Sequence, residues 1–307
     1  MKKILLIVPL AAIAAAAVIM MTSRGESQPA APASLSVGIY APSVEFGTAQ
    51  ARLQYVQGLA KAIEQATGVK TTAQSFSSLA QLRKAAPDFA IIDGLCFATN
   101  SSGTLLANAE VGGGTTRAWA LYSSVGPDVK ALKGKKLSFV QTGCNDKAFI
   151  DNAMLESEGA GLFASEVGKP DLTAAVAEVA SYKGAEAVFA PSSASKGLTK
   201  VFDTRQVPNP AFVQLNASLP GNISSKAASA VVGYGGSGAI SGWSAASKEP
   251  YSSLAGSLGP VVKKLQAADP VPVRLESGDV LVEPSTLGDT ALTGVKGHYE
   301  APPQRME

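Results

Sequence analysis

Histidine is almost missing from this chain: His298 is the only one in 307 residues, and cysteine occurs twice, at Cys96 and Cys144. Three such side chains cannot furnish a four-ligand zinc site of the usual Cys/His kind, so no metal is expected. A lone histidine so late in the chain reads as a surface residue rather than a catalytic base. Charge is sparse as well, with 16% charged residues and a net +2. Without Lys2, Lys3, Arg24 and Glu26, basic and acidic side chains balance. A balanced chain has no field to attract nucleic acid or acidic lipid, and both are excluded as partners. Low charge with abundant Ala, Gly and Ser also argues against coiled coils and charge-driven disorder.

Nucleotide and hydrolase signatures are lacking too. There is no Gly-x-x-x-x-Gly-Lys-Ser/Thr loop, and no Gly-x-Ser-x-Gly elbow followed by a usable histidine. "GYGGSGAISGW" (233–243) follows a helical pattern instead of a strand and runs into loop, so it fails the context of a dinucleotide fingerprint. No cofactor is expected. Cys144, at a helix start, is the single enzyme-like feature, since the local field favours thiolate. No histidine stands in place as its base, and Asp146 opposes the shift. The expectation is a protein that is not an enzyme.

What is present begins with an address. "MKK" precedes an apolar run from Ile4 to Met21 and then polar "TSRGESQPAAPAS", the layout of a secretory signal. The run is borderline in length for a membrane span. Residues 1–33 therefore read as a signal peptide, or as an uncleaved anchor that tethers the chain to the inner membrane through residues 4–21. No cysteine near the run means no lipoprotein, and residues 22–34 read as a flexible tether. The predicted location is the periplasm, an oxidising compartment where two cysteines can pair.

From Ser34 strands and helices alternate. "LSVGIY" (35–40) is a strand. "ARLQYVQGLAKAIEQATG" is a helix with Leu53, Val56, Leu59, Ala60, Ile63 and Ala66 on one face and Gly68 as its stop. "VKTTAQSF" is a strand, "SSLAQLRKAA" a serine-capped helix, and "DFAIIDG" a strand apolar enough to be buried on both faces. That is the layout of an open parallel sheet, in which ligands bind beyond the carboxyl ends of the strands. The loops so placed are Tyr40–Glu45 and Asp93–Asn100.

Further on, "TTRAWALYSS" (115–124) and "KLSFV" are strands, and "QTGCND" opens a helix over 146–157. "DLTAAVAEVASYKG" is helical with Leu172, Val176, Val179 and Ala180 inward; "AEAVFAP" (185–191) is a strand; "DTRQVPNPAFVQLN" is extended. "NISSKAASAVVGY" is a helix. From about Asp269, "VPVRLESGDVLVEP" suggests a β-hairpin before a loose tail.

"ALYSSVGPDVKALKGKKLSFVQTGCNDKAFIDNAML" resembles the segment entering the second lobe of the phosphonate/phosphite/phosphate-binding proteins of ABC transporters. "LSVGIYAP", "DFAIIDGLCFATN", "AVAEVASYKGAEAVFAP", "DTRQVPNPAFVQLNASLP" and "ISGWSAASKEPY" resemble other landmarks of that family, in order, across roughly residues 35–260. The resemblance implies an α/β, two-lobed type 2 periplasmic binding protein with open, mainly parallel sheets, plus the C-terminal hairpin extension. Lobe one would be 34–119 plus 210–268, lobe two 120–209, and 269–307 the extension. A small polar ligand, phosphonate- or phosphate-like, would be trapped between the lobes and passed to a transporter permease.

Carried over by position, the ligand loops fall on Tyr40 to Ser43, on Asp93, Gly94 and Phe97, and on Gly143, Cys144, Asn145 and Asp146. The strand-end acid of the second lobe falls on Glu186, with Ser192 and Ser193 beyond it. Where the family offers a Ser-Thr-Ser cup, this chain offers Gly-Cys-Asn-Asp. A carboxylate there repels a dianion unless the ligand carries a cation or Asp146 serves as a helix cap. The resemblance also places Cys96 and Cys144 opposite each other across the cleft. The expectation is that they pair, or come close enough to pair, when it is closed, the alternative being two unpaired small apolar residues near the strand ends. A chain locked in that way would be a non-transport sensory or assembly subunit with an altered or inactive pocket.

Overall fold

The computed structural model describes residues 32–100, 102–156, 161–195, 197–236 and 238–259. The leader, most of the tether, the predicted hairpin and His298 lie outside these residues. Among the described residues, no helix is long and apolar enough to cross a membrane.

The first half of the chain follows its sequence pattern closely. Strand β1 (Leu35–Tyr40) leads to helix α1 (Ala49–Thr67), whose N-cap Thr48 accepts from the Ala51 amide at 3.0 Å. Gly68 ends the helix in the left-handed region at φ 75°, where a Cβ would be strained. Strand β2 (Thr71–Ser75), helix α2 (Leu79–Ala85, capped by Ser78) and strand β3 (Phe89–Ile92) follow. Every residue of β3 is buried. Phe89 and Ile91 face one apolar cluster while Ala90 and Ile92 face the other, as period-two alternation requires. Helix α3 (Gly94–Thr99) and strand β4 (Thr104–Glu110) had no sequence counterpart.

Strand β5 (Thr116–Ser123), a 3-10 turn at Val129–Leu132 and strand β6 (Lys136–Val140) lead into helix α4, only Asp146–Ala148. The predicted helix over 146–157 widens at once into a π-helix at Phe149–Met154, where the Leu155 amide reaches back five residues to the Ile150 carbonyl at 2.9 Å. Then come β7 (Ser165–Lys169), α5 (Leu172–Ala180), β8 (Ala187–Pro191), β9 (Thr199–Pro208), β10 (Ala211–Gln214), α6 (Gly221–Val232), β11 (Gly242–Ala245) and α7 (Glu249–Ser257). Two inward faces differ from expectation. In α1, Tyr55 is buried, Leu53 is half-buried and Ala66 is exposed; in α5, Ala175 is buried and Ala180 exposed. The two exposed alanines lie in the last turn of their helices, Ala66 in α1 and Ala180 in α5.

Two open sheets result, ordered β11-β4-β10-β3-β1-β2 and β7-β6-β8-β5-β9. Each joins a parallel set, β3-β1-β2 or β7-β6-β8, to antiparallel strands. Helices α1 and α6 close one face of the first sheet through Val56, Leu59, Ile63, Ile223 and Val231. On its other face, Ile92, Leu95 and Phe97 belong to a buried apolar cluster that continues into Leu121, Leu137 and Phe189 of the second sheet. The core therefore runs from one lobe to the other without a break.

Candidate functional site

The carboxyl ends of β1, β3 and β6 converge between the two sheets. At the tip of β3, the Asp93 amide donates to the Tyr40 carbonyl at the tip of β1, 2.8 Å away. The Asp93 carboxylate caps α3 by accepting from the Leu95 amide at 3.1 Å and draws in the next loop by accepting from the Ser43 amide at 3.0 Å. Burial pushes its pKa up, while the Ser43 and Leu95 hydrogen bonds and the Arg117 charge hold it down. Arg117, on β5, is itself buried, which lowers its pKa against the pull of Asp93 and Glu45. Its Nε donates to Asn209 Oδ1 at 2.8 Å and its Nη2 to the Ser43 carbonyl at 2.9 Å. Its guanidinium lies 6.0 Å from the centre of the Trp119 ring.

From the other sheet comes the loop after β6. The Tyr40 hydroxyl donates to the Thr142 carbonyl at 2.9 Å, and burial, then the charges of Asp93 and Asp146, push the phenol pKa well up. Beside that bond, Cys96 of α3 and Cys144 form a disulfide with Cα atoms 4.9 Å apart. The pairing implied by the family resemblance is present, and it occupies the sulfur that a nucleophile would need. Both cysteines are about 1% exposed, so the bond is shielded from an attacking thiolate.

Asp146 neither caps the helix behind it nor points across the cleft. Its Oδ1 accepts from the Thr142 amide at 3.1 Å and from the Thr142 hydroxyl, and its Oδ2 accepts from the Gly143 amide at 2.9 Å. Gly143 at φ 70° and Asn145 at φ 66° make the tight turn that this fold-back needs, and both are exposed.

The remaining predicted residues divide. Gly94 packs directly against the end of β9: a Cβ there would lie 2.0 Å from the Pro208 carbonyl oxygen. Phe97 packs edge-on against Tyr251 of α7, with ring centres 4.7 Å apart, and does not line the cavity between the lobes. Glu186 is not brought to the site. It precedes β8 at the amino end, where it accepts from the Lys136 amide at 2.8 Å, while the converging tips of these parallel strands are carboxyl ends. Ser192 is exposed beyond the carboxyl end of β8, and its neighbour Ser193 donates to Glu45 at 3.3 Å.

Three residues of the site were missed. Thr142 stands one residue before the predicted cup. Arg117 and Trp119 sit two apart on one face of β5, and an arginine inside an apolar strand was the available signal. The Trp119 Nε1 and Arg117 Nη1 are buried without a partner among the described residues.

What these groups enclose is small. Ser43, Asp93, Trp119 and Thr142, with Phe139, Phe149 and Phe189, line a cavity of about 20 Å³ between the lobes. That is room for about one water, against the roughly 300–1,000 Å³ of ordinary small-molecule sites.

No family model and no curated protein matches the chain. Solved structures do. A binding protein component of an ABC phosphonate transporter from Pseudomonas aeruginosa is similar at 12% identity and a TM-score of 0.54, over 71% of this chain and 82% of that one. PhnD1 from Prochlorococcus marinus, in complex with methylphosphonate, is similar at 13% identity and a TM-score of 0.55, over 73% of this chain and 96% of that one. A Xanthomonas citri protein bound to chloride ion is similar at 12% identity and a TM-score of 0.54, over 74% of this chain and 98% of that one. The fold is that of the two-lobed type 2 periplasmic binding proteins.

Proposed function

We propose that this chain is an exported binding-lobe protein held permanently shut, acting as a non-transport sensory or assembly subunit with an inactive pocket. The observation that carries the reading is the Cys96–Cys144 bond across the strand tips, above a cavity of about 20 Å³. A carrier must open to load and release, and a buried covalent link between its lobes opposes that motion. The lobe limits 34–119 plus 210–268 and 120–209, and a periplasmic site of action, belong to the same reading.

A second reading keeps the transport role, with a small phosphonate- or phosphate-like solute delivered to an ABC permease. It is favoured by the likeness to the methylphosphonate-bound PhnD1 and by the polar groups gathered at Ser43, Asp93, Arg117 and Thr142. Thermal unfolding with methylphosphonate, phosphate and phosphite separates the two. A melting temperature indifferent to all three in the oxidised protein is the expected result. One that climbs with ligand concentration would return the chain to the carriers.

A further inference from the structure

Away from the closed cleft, a groove of about 590 Å³ opens at the carboxyl end of β2, between the first turns of α1 and α2. The groove is broad and open to solvent, and strand ends of open α/β sheets are where ligand sites form. Its polar lining consists of Gln50, Gln74 and Gln81, Ser75 and Ser77, and one cation, Arg52, with no aspartate or glutamate.

Internal hydrogen bonds decide what this lining presents. Arg52 Nε donates to Ser75 Oγ at 2.7 Å, which fixes the plane of the guanidinium, and its Nη donors have no partner among the described residues. Among the described residues, no carboxylate lies within ion-pair distance of Arg52. Arg52 occupies one of the two lone pairs of the Ser75 hydroxyl, which still has its own hydrogen to give. Gln81 Oε1 accepts from both the amide and the hydroxyl of Ser77, at 3.3 and 2.9 Å, so its carboxamide has only the NH₂ end to offer. Arg52, Ser75 and Gln81 thus offer donors around an unneutralised guanidinium, while Ser77 Oγ, its hydrogen given to Gln81, offers lone pairs to a ligand hydroxyl. Leu53 and Phe76 add an apolar wall against which a carbon frame can lie.

We infer that this groove is a binding site for an oxyanion-bearing, hydroxyl-rich small solute, of the carboxylated or phosphorylated sugar class. Arg52 takes the oxyanion, and Ser75 and Gln81 donate to the ring or hydroxyl oxygens. The inference is independent of whether the cleft opens, because none of these residues lines the interlobe cavity.

The test is titration of the full chain at low ionic strength with glucuronate, glucose-6-phosphate and glucose, followed by heteronuclear NMR of residues 49–53 and 73–81. Saturable shifts are expected with an anionic sugar, and glucose should bind at least about tenfold more weakly. Preference for glucuronate assigns a carboxylate head group; preference for the phosphate assigns the other. Arg52→Gln should lose about tenfold or more in affinity at an unchanged melting temperature, and Arg52→Lys should lose less. Equal binding of glucose, no binding of either anion, or full affinity in Arg52→Gln would overturn the site.

Discussion

The hydroxyl of Tyr40, at the tip of one sheet, donates to the carbonyl of Thr142, beyond the tip of the other, at 2.9 Å. Neither group has bulk water to fall back on, since both residues are about 5% exposed or less. Tyr40→Phe removes the donor and strands a buried carbonyl, at a cost of about 1–3 kcal/mol. Urea unfolding should show a lower midpoint with an unchanged slope; an unchanged midpoint would mean that the lobes are not joined through this bond.

Thiol titration of the denatured chain without reductant should find no free cysteine, and two after reduction. Two titratable thiols at the outset would remove the staple. The bond spans 48 residues, so the double Cys96→Ala, Cys144→Ala variant should be less stable by roughly 4 kcal/mol on loop entropy. In the folded protein the bond should resist a mild dithiol, because both sulfurs are covered.

Burial of Asp93 sets the direction in which its pH dependence of stability is expected to run. Its folded pKa is raised, chiefly by burial. A carboxyl so raised contributes fully below its ordinary value, and that contribution is lost as pH climbs through the folded value. Relative to Asp93→Asn, the wild type should therefore gain stability on going from neutral to mildly acid pH. Paired urea melts at the two pH values check this, and a gain in the opposite direction would show that the Arg117 charge outweighs burial.

Gly94→Ala brings a methyl group to 2.0 Å from the Pro208 carbonyl oxygen, a backbone atom that no side-chain rotation can move. The end of β9 must shift or α3 must tilt, at about 1–3 kcal/mol or more. Thermal melting should fall by several degrees, whereas Gly143→Ala, with open space around it, should cost only its left-handed backbone.

Much of the fold is legible without coordinates. Caps at Thr48 and Ser78 and the stop at Gly68 bound α1 and α2, and the all-apolar "FAII" announces a strand covered on both sides. Strand β7 was not readable, because "SEVGK" is an edge strand with no buried residue and owes its form to pairing with β6. The π-helix was missed since its apolar residues fit an α-helix equally well over one turn. Glu186 was carried to the wrong end of its strand: a linear motif names an acid beside a strand but not the end at which the partner loops gather. Arg117 and Trp119 escaped notice for a related reason, as only the facing sheet turns that side of β5 into an interior.

Local order in this chain, then, was settled by the sequence itself: the alternation of strand and helix, the caps, and a cysteine a few residues beyond each of two strands. Those features depend on hydrophobic period and backbone hydrogen bonding between near neighbours. Only the tertiary structure decided how far the lobes close, which loops meet, and how little space is left between them. Such distances depend on long-range packing of Trp119, Phe139, Phe149 and Phe189, whose shared boundary no stretch of sequence contains.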